Sequence, residues 1–526
     1  MSTIADDLSA ARQRIATAYS PDALQQAGTQ LMTTLAAHFR RVESREGKVL
    51  NWNEPAALVR KARTCLDAAD RKGAAGSASA SAEETLAEPV APNNIGRLAD
   101  DVAQLARESL ARGQNLHHPH YVGHQVPAPV PLAALFDLVG SVTNQVMAIY
   151  EMGPWATAVE QAVIGAVGEK LGFEPGQFAG LVTSGGTLAN LTGLLTARNV
   201  ALGDGWSKGL SGRQPAPVLV VHADSHYSVA RSAGILGIGT EYIVPAALDA
   251  KRRMDAGRLD ETLASLRSRG VPIVAVSAAA CATPIGAFDR LEEVAEVCRR
   301  HGVWLHVDAA HGGALAFSAR HRQLLAGIHR ADSVVCDAHK MMFMPALCAM
   351  LFYRDRRHRL AAFQQDAPYL FDPAAPHLAE YDSGVVNLEC TKRAAAFGVW
   401  GVWSLFGPQL FADMVDVTID AALQFHEMLE AADDFEALHE PECNIVAFRY
   451  FPAELRDARP QEVDALQWRL RRVVIESGEY YLVQSRIDGR PVLRTTIMNP
   501  LTTADDLRGL LECLRRFGKA LRETGR

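Results

Sequence analysis

Apolar residues recur at three- and four-residue spacing around Leu31, Leu35 and Phe39, so residues 4–69 read as amphipathic helix. A second helical stretch covers 95–112. Residues 73–92 between them are rich in Ala, Ser, Gly and Glu, the composition of a linker. A Pro- and His-rich loop at 117–131 then precedes a change of rhythm. Short β-rich runs at 181–183, 218–221, 273–276, 303–307 and 333–336 alternate with helical segments at 187–199, 258–268 and 291–301. Such alternation predicts right-handed βαβ units around a mainly parallel sheet buried on both faces. A long helical stretch follows residue 393. From about 414 onward helices mix with strands near 445–450, 480–484 and 492–497. The pattern predicts an α/β protein in three parts: a helical N-terminal segment (1–115), a large sheet domain (116–410) and a smaller C-terminal α+β domain (411–526).

Composition narrows the partners. The 526 residues are 48% hydrophobic and 21% charged, with a formal net charge of −7. That acidic balance argues against nucleic acid or an anionic membrane as the main partner. No apolar run reaches membrane-spanning length, and Asp6 and Asp7 interrupt any secretory signal. The eight cysteines are scattered without a CxxC pair, as expected of reduced thiols in a cytoplasmic protein. His117, His118, His120 and His124 lack an acid at ligand spacing, so no metal site is expected from them.

Chemistry concentrates at the predicted strand ends. Trp304-Leu305-His306-Val307-Asp308-Ala309-Ala310-His311 puts an acid at the C-terminal end of a buried strand, where α/β sheets bind ligands. The next strand ends in Asp337-Ala338-His339-Lys340. Alone, the acid reads equally as a helix cap and the lysine as a surface charge. On consecutive strand ends they form the pair that pyridoxal 5'-phosphate needs: an amine to form an imine with its aldehyde and an acid to keep its pyridine nitrogen protonated. Ser184-Gly185-Gly186-Thr187-Leu188-Ala189-Asn190 is a Gly-containing strand-to-helix turn whose free N–H groups suit a phosphate. His226, in Asp224-Ser225-His226-Tyr227-Ser228, could lie flat on a cofactor ring, or simply cap a helix start.

Together with Pro284-Ile285-Gly286-Ala287-Phe288-Asp289 and Leu493-Arg494-Thr495-Thr496, these motifs resemble the group II pyridoxal phosphate-dependent amino acid decarboxylases. That family includes the glutamate, cysteine sulfinate, aromatic amino acid and 2,4-diaminobutyrate enzymes. The resemblance implies the fold-type I architecture, with 116–410 as the cofactor domain, and a homodimer with active sites at its interface. It implies Lys340 as the Schiff-base lysine, Asp308 as partner of the pyridine nitrogen, Ala310 beneath the ring and His226 above it. Gly186, Thr187 and His339 match phosphate-binding positions, and Arg494 matches a position for the substrate α-carboxylate. Residues 368–384 resemble the mobile catalytic loop, within which Tyr381 is the candidate proton donor.

Three departures bear on the outcome. Cys281-Ala282-Thr283 replaces the family's Gly-Thr-Thr, His311 stands where an aromatic residue is common, and Asp337 stands where several relatives have asparagine. His124 and Gln125 fall where relatives line the side-chain pocket, which favours a small polar or acidic amino acid substrate. Lys340-Met341-Met342 resembles the glutamate and cysteine sulfinate branch, whereas Leu388-Glu389-Cys390-Thr391-Lys392-Arg393 resembles the diaminobutyrate branch. The expected reaction is decarboxylation to an amine. An oxidative deaminating decarboxylase yielding an aldehyde is the alternative on the same scaffold, and a cofactor-free scaffold protein is disfavoured by the complete set around Lys340.

Overall fold

The computed structural model describes residues 12–74, 95–363 and 380–524. The start of the N-terminal helix reading (4–11), the greater part of the linker reading (75–92) and most of the loop reading (368–379), with its Pro368–Phe371, lie outside the described residues. The chain divides into two compact units: Met1–Tyr121 with Leu470–Tyr481 and Glu512–Arg526, and Val122–Arg469 with Leu482–Leu511.

The first unit is helical. α1 (Pro21–Glu43) begins with Ser20 as N-cap, its hydroxyl accepting from the Ala23 N–H, and with proline in the first turn. α2 (Pro55–Ala74) follows, and α3 (Ile95–Arg112) packs against α1. Within this unit Val49 N–H donates to the Gly478 carbonyl at 2.9 Å, and the His120 and Tyr480 rings stack at 4.1 Å.

The second unit is built on a seven-stranded sheet. Its strands are β1 (Ala179–Thr183), β2 (Val218–His222), β3 (Ile243–Ala246), β4 (Ile273–Ala279), β5 (Leu305–Asp308), β6 (Ser333–Asp337) and β7 (Ala349–Tyr353). They lie in the order β1-β7-β6-β5-β4-β2-β3, and β7 alone runs antiparallel to its neighbours. Thr183 pairs with Ala349 and Val307 with Val334, which brings the ends of β1, β5 and β6 to one edge of the sheet. The helices that cover the sheet include α4 (Pro154–Lys170), α5 (Gly186–Leu202), α6 (Tyr227–Ile235) and α7 (Leu291–His301). Val220, Val276, Val307 and Val334 are fully buried between these layers, as a sheet covered on both faces requires.

The parallel strands fall at the predicted runs, and two strands go beyond them. β3 carries Pro245, which argues against a strand, and three of its four positions are only half-buried or exposed at the sheet edge. β7 (Ala-Met-Leu-Phe-Tyr) is apolar throughout, and without alternation such a run does not separate strand from buried helix. The long helical stretch after residue 393 is two helices, Phe397–Phe406 and Gln409–Glu430, broken where Gly407 turns at φ +68° ahead of Pro408. A second, antiparallel sheet follows in the order β8 (Phe435–Ala437), β9 (Ile445–Tyr450), β11 (Arg490–Thr496) and β10 (Val483–Ile487). β10 starts later than the predicted 480–484.

The outer edge of β1 is closed by an ion pair. Lys392 Nζ lies 2.6 and 2.7 Å from the two oxygens of Glu160, with both side chains only 2% exposed. The pair also caps backbone: Lys392 donates to the Val182 carbonyl at 2.7 Å, and Glu160 accepts from the Val182 N–H at 3.2 Å. It therefore satisfies groups that an edge strand would otherwise leave open. Lys392→Met strands a buried carboxylate, and should lower unfolding stability by about 3–5 kcal/mol. Urea titration monitored by circular dichroism checks this, and a loss below about 1 kcal/mol would show the pair to be dispensable.

Candidate active site

The strand ends enclose a cavity of about 440 Å³ lined by Gly186, His226, Asp308, Ala310, His339 and Lys340, among others. Sequence dictates each placement. β6 runs straight into a turn in which Lys340 N–H bonds the Asp337 carbonyl at 3.2 Å and Phe343 N–H bonds the Lys340 carbonyl at 2.9 Å. This turn delivers Lys340 Nζ to 3.2 Å from Asp337 Oδ2, with His339 Nε2 at 3.6 Å from the same oxygen. Opposite, Gly185 turns at φ +140° to start α5. A Cβ on Gly186 would come within 2.6 Å of Asp337 Oδ2, so a residue without a side chain is needed for that close approach. Asp337 Oδ1 is buried with no hydrogen-bond partner among the described residues.

Asp308, at the end of β5, is held by a chain of buried polar groups. Asn190 of α5 donates from Nδ2 to Asp308 Oδ2 at 2.9 Å and to Ser228 Oγ at 3.0 Å, and Ala310 N–H donates to Asp308 Oδ1 at 3.1 Å. With both Asn190 amide protons committed, its Oδ1 accepts from His306 Nε2 at 2.9 Å. His306 Nδ1 then accepts from Ser333 Oγ at 2.8 Å, which itself accepts from the Trp304 indole at 2.9 Å. Trp304 can only donate, so the direction of each bond follows from it. At the other end Ser228 donates its hydroxyl to His226 Nδ1 at 2.8 Å, and Ser228 N–H reaches the same nitrogen at 3.3 Å. His226 Nδ1 is therefore an acceptor, and its proton sits on Nε2. His226 caps α6 and lines the cavity at once, so the two readings of this histidine coexist.

These contacts set the charges. Burial pulls the Lys340 ammonium down, but the carboxylates of Asp337 and Asp308 outweigh it and hold its pKa above the ordinary value. Burial lowers His226, with Asp308 opposing, and the ring is kept neutral. Burial also pushes His306 down to about 4 and His311 down to about 3.

Three residues singled out from sequence lie outside the cavity lining. Tyr381 is exposed beside Tyr150, ring centroids 5.8 Å apart, and Glu380 raises its phenol pKa. His124 is exposed, whereas its neighbour Gln125 lines the cavity. Arg494 is buried on β11, and its Nη1 donates to the carbonyl of Thr283, a lining residue, at 2.6 Å. Sequence reasoning missed the roles of Asn190, Ser228 and His306. The available signal was a polar residue on the buried face of an otherwise apolar helix, and a histidine in a strand of hydrophobic neighbours.

An amine, a paired carboxylate and a glycine-opened helix start facing one cavity define a site for an aldehyde cofactor bearing a phosphate, on a mixed, mostly parallel α/β sheet. Residues 82–451 match the family model described as "Pyridoxal-dependent decarboxylase conserved domain", and the chain belongs to that family. It is 33% identical over 435 residues to L-2,4-diaminobutyrate decarboxylase of Rhizobium meliloti (strain 1021), covering 81% of this chain and 83% of the relative. It is 29% identical over 433 residues to the mouse (Mus musculus) acidic amino acid decarboxylase GADL1, covering 81% and 78%. The crystal structure of mouse CSAD superposes with a TM-score of 0.80 at 24% identity, covering 95% of this chain and 99% of that one. Oryza sativa TDC with pyridoxal phosphate and tryptamine superposes with a TM-score of 0.79 at 21% identity, covering 96% and 99%. The protein is a pyridoxal phosphate-dependent amino acid decarboxylase of fold type I. The residues present fit that cofactor: Lys340 offers the amine, Asp308 an acceptor whose other bonds are made, and α5 an N-terminus approached without a Cβ.

The neutral His306 makes stability depend on pH. Its folded pKa, about 4, lies below the unfolded value of about 6.5, so the unfolded chain binds the extra proton between them. Its contribution is complete above about pH 6.5 and is lost as pH falls toward 4. Urea midpoints measured across that window should decline less steeply in His306→Gln than in the native protein. Parallel declines would show that His306 is not the titrating group.

Proposed function

We propose that the protein removes the α-carboxylate, as CO2, from a small polar or acidic L-amino acid, leaving the corresponding amine. The observation that carries this reading is the convergence of Lys340, Asp308, His226 and Gly186 on one cavity. The named activities of the relatives support the substrate class, since acidic amino acids and 2,4-diaminobutyrate are both small and polar. Pyridoxal phosphate supplies the electron withdrawal that lets the bond to the carboxylate break.

The chain's own residues do the rest. Lys340 holds the cofactor aldehyde, and Asp337 at 3.2 Å keeps a proton acceptor beside its Nζ. Asp308, with hydrogen bonds from Asn190 and Ala310 N–H, is poised to hold a proton on the ring nitrogen. Ala310, in the cavity lining, would pack beneath the ring. His226 would stack on the ring's other face, with its Nδ1 taken by Ser228 and its Nε2–H free of those bonds. Gly186, Thr187 and His339 take the phosphate at the start of α5. Gln125, in the cavity lining, faces the substrate side chain, while His124 would have to turn in from its exposed position to join it, and Arg494 sets the Thr283 end of the cavity for the α-carboxylate. Tyr381 delivers the proton to the substrate carbon, a role that requires its ring to reach the cavity from its exposed position beside Tyr150.

The working form is a cytoplasmic homodimer. Leu132, Leu135, Val139 and Val142 form an exposed apolar stripe at helical spacing on Pro131–Val142, which supports a second copy as its cover. Among the described residues no helix is long and apolar enough to cross a membrane. Leu135→Glu combined with Val139→Glu should shift sedimentation from dimer to monomer. An unchanged dimer would exclude this face.

Purified protein with pyridoxal phosphate, assayed against a panel of L-amino acids for CO2, ammonia and aldehyde, tests the reaction. CO2 with the matching amine and no ammonia is expected. Lys340→Ala should abolish turnover and borohydride-fixed cofactor. Tyr381→Phe should cut turnover by about 10²–10⁴-fold while the cofactor is still fixed to Lys340. CO2 with ammonia and aldehyde would move the protein to the oxidative branch. Turnover confined to aromatic amino acids would overturn the substrate class.

A further inference from the structure

Two residues that depart from the family pattern, Cys281 and His311, lie together with Cys443 from the turn preceding β9. The two sulfurs are 3.8 Å apart, although 162 residues separate them in the chain. One imidazole nitrogen of His311 and both sulfurs all lie within 4.8 Å of one another, and all three residues are buried. We propose that Cys281, Cys443 and His311 bind a thiophilic divalent cation, zinc by preference, in the wall of the cavity that holds Lys340.

The geometry matches the ion. Tetrahedral zinc with Zn–S bonds of about 2.3 Å places two thiolate sulfurs about 3.8 Å apart, which is the separation already present. The imidazole is set in advance. Asn444 Nδ2 donates to the Ile497 carbonyl at 2.8 Å and contacts Met498 Sδ at 3.0 Å, so Asn444 Oδ1 faces His311 Nε2 at 2.7 Å and accepts its proton. That leaves the lone pair on His311 Nδ1, an atom buried without a hydrogen-bond partner among the described residues. A histidine with one nitrogen fixed by a protein acceptor and the other bare is how metal-binding imidazoles are held. An unsatisfied buried lone pair is otherwise a standing cost, which a cation removes.

The seat for Cys443 is also built. Gly286, at φ +76°, turns its backbone beneath the thiol, and a Cβ there would lie 2.3 Å from Cys443 Sγ. The Cys443 thiol donates to the Gly286 carbonyl at 3.6 Å, a weak bond that is given up when the thiol proton leaves. Binding exchanges two thiol protons for one dication, so the ion with two thiolates adds no net charge near Lys340 and Arg494. Cys281 and His311 line the cavity and Cys443 does not. Three protein ligands thus hold the ion from behind, and its fourth position opens on the cavity. An occupied site narrows the space in front of Lys340, so zinc acts as an inhibitor of turnover. The link to inhibition rests on the proposed decarboxylase site; metal binding itself does not.

The test uses the holoenzyme, reduced, freed of metal by chelator and titrated with Co²⁺ and then Zn²⁺. One equivalent of Co²⁺ per chain should give the intense visible bands of tetrahedral thiolate cobalt, at wavelengths beyond the cofactor's absorption, and Zn²⁺ should displace them. Cys443→Ser and His311→Gln should each weaken Co²⁺ binding at least tenfold while circular dichroism and cofactor content stay unchanged. If Cys443→Ser does not fold, His311→Gln carries the comparison. Absence of tetrahedral bands in the native protein, or their persistence in His311→Gln, would overturn the site. Metal bound without loss of turnover would overturn only the inhibitory role.

Discussion

The side-chain amide of Asn190 is the joint on which the site depends. It ties α5 to β5 through Asp308 and His306, and to the start of α6 through Ser228. An amide can do this because it carries two donors and an acceptor in one plane, so it dictates direction at each contact. With the Ala310 N–H, these donors fix both oxygens of the Asp308 carboxylate in one orientation at the cavity wall. The same amide, through Ser228, makes His226 an acceptor on the inner side of its ring. Asp308 and His226 are thus parts of one arrangement, anchored at its far end by the indole of Trp304.

The charges around Lys340 follow from sheet geometry. Parallel strands buried on both faces leave their C-terminal ends as the place for polar chemistry, and β5 and β6 deliver Asp308 and Asp337 there side by side. Two carboxylates around one ammonium keep the lysine charged against the pull of burial. Lys340 would hold the cofactor aldehyde from this position, with the Asp337 carboxylate 3.2 Å from its Nζ.

Much of this was legible in the residues. Strand ends marked by Asp308 and Lys340, and the glycine turn before α5, carry local signals because each needs a particular residue at a particular step of a strand-to-helix transition. The parallel strands read clearly because their apolar runs are short and bounded. β7 did not, since an unbroken apolar run has no period to betray it, and neither did β3 at the sheet's edge. The polar chain from Trp304 to His226 was illegible for another reason: its members come from four separate segments, and only the packing of α5 on the sheet brings them into contact. The cluster of Cys281, His311 and Cys443 is hidden in the same way, since no spacing rule spans such separations. Arg494, His124 and Tyr381 were named from resemblance, and in this chain they stand away from the cavity lining.

The placement of β7 between β1 and β6 has a consequence for how the protein is made. The glycine turn follows β1 and the lysine follows β6, but these strands do not touch, and β7 bridges them. Thr183 finds Ala349 across a separation of 166 positions in the chain, a slow, non-local closure. Strand pairing therefore joins the β1 and β6 portions of the sheet only through β7.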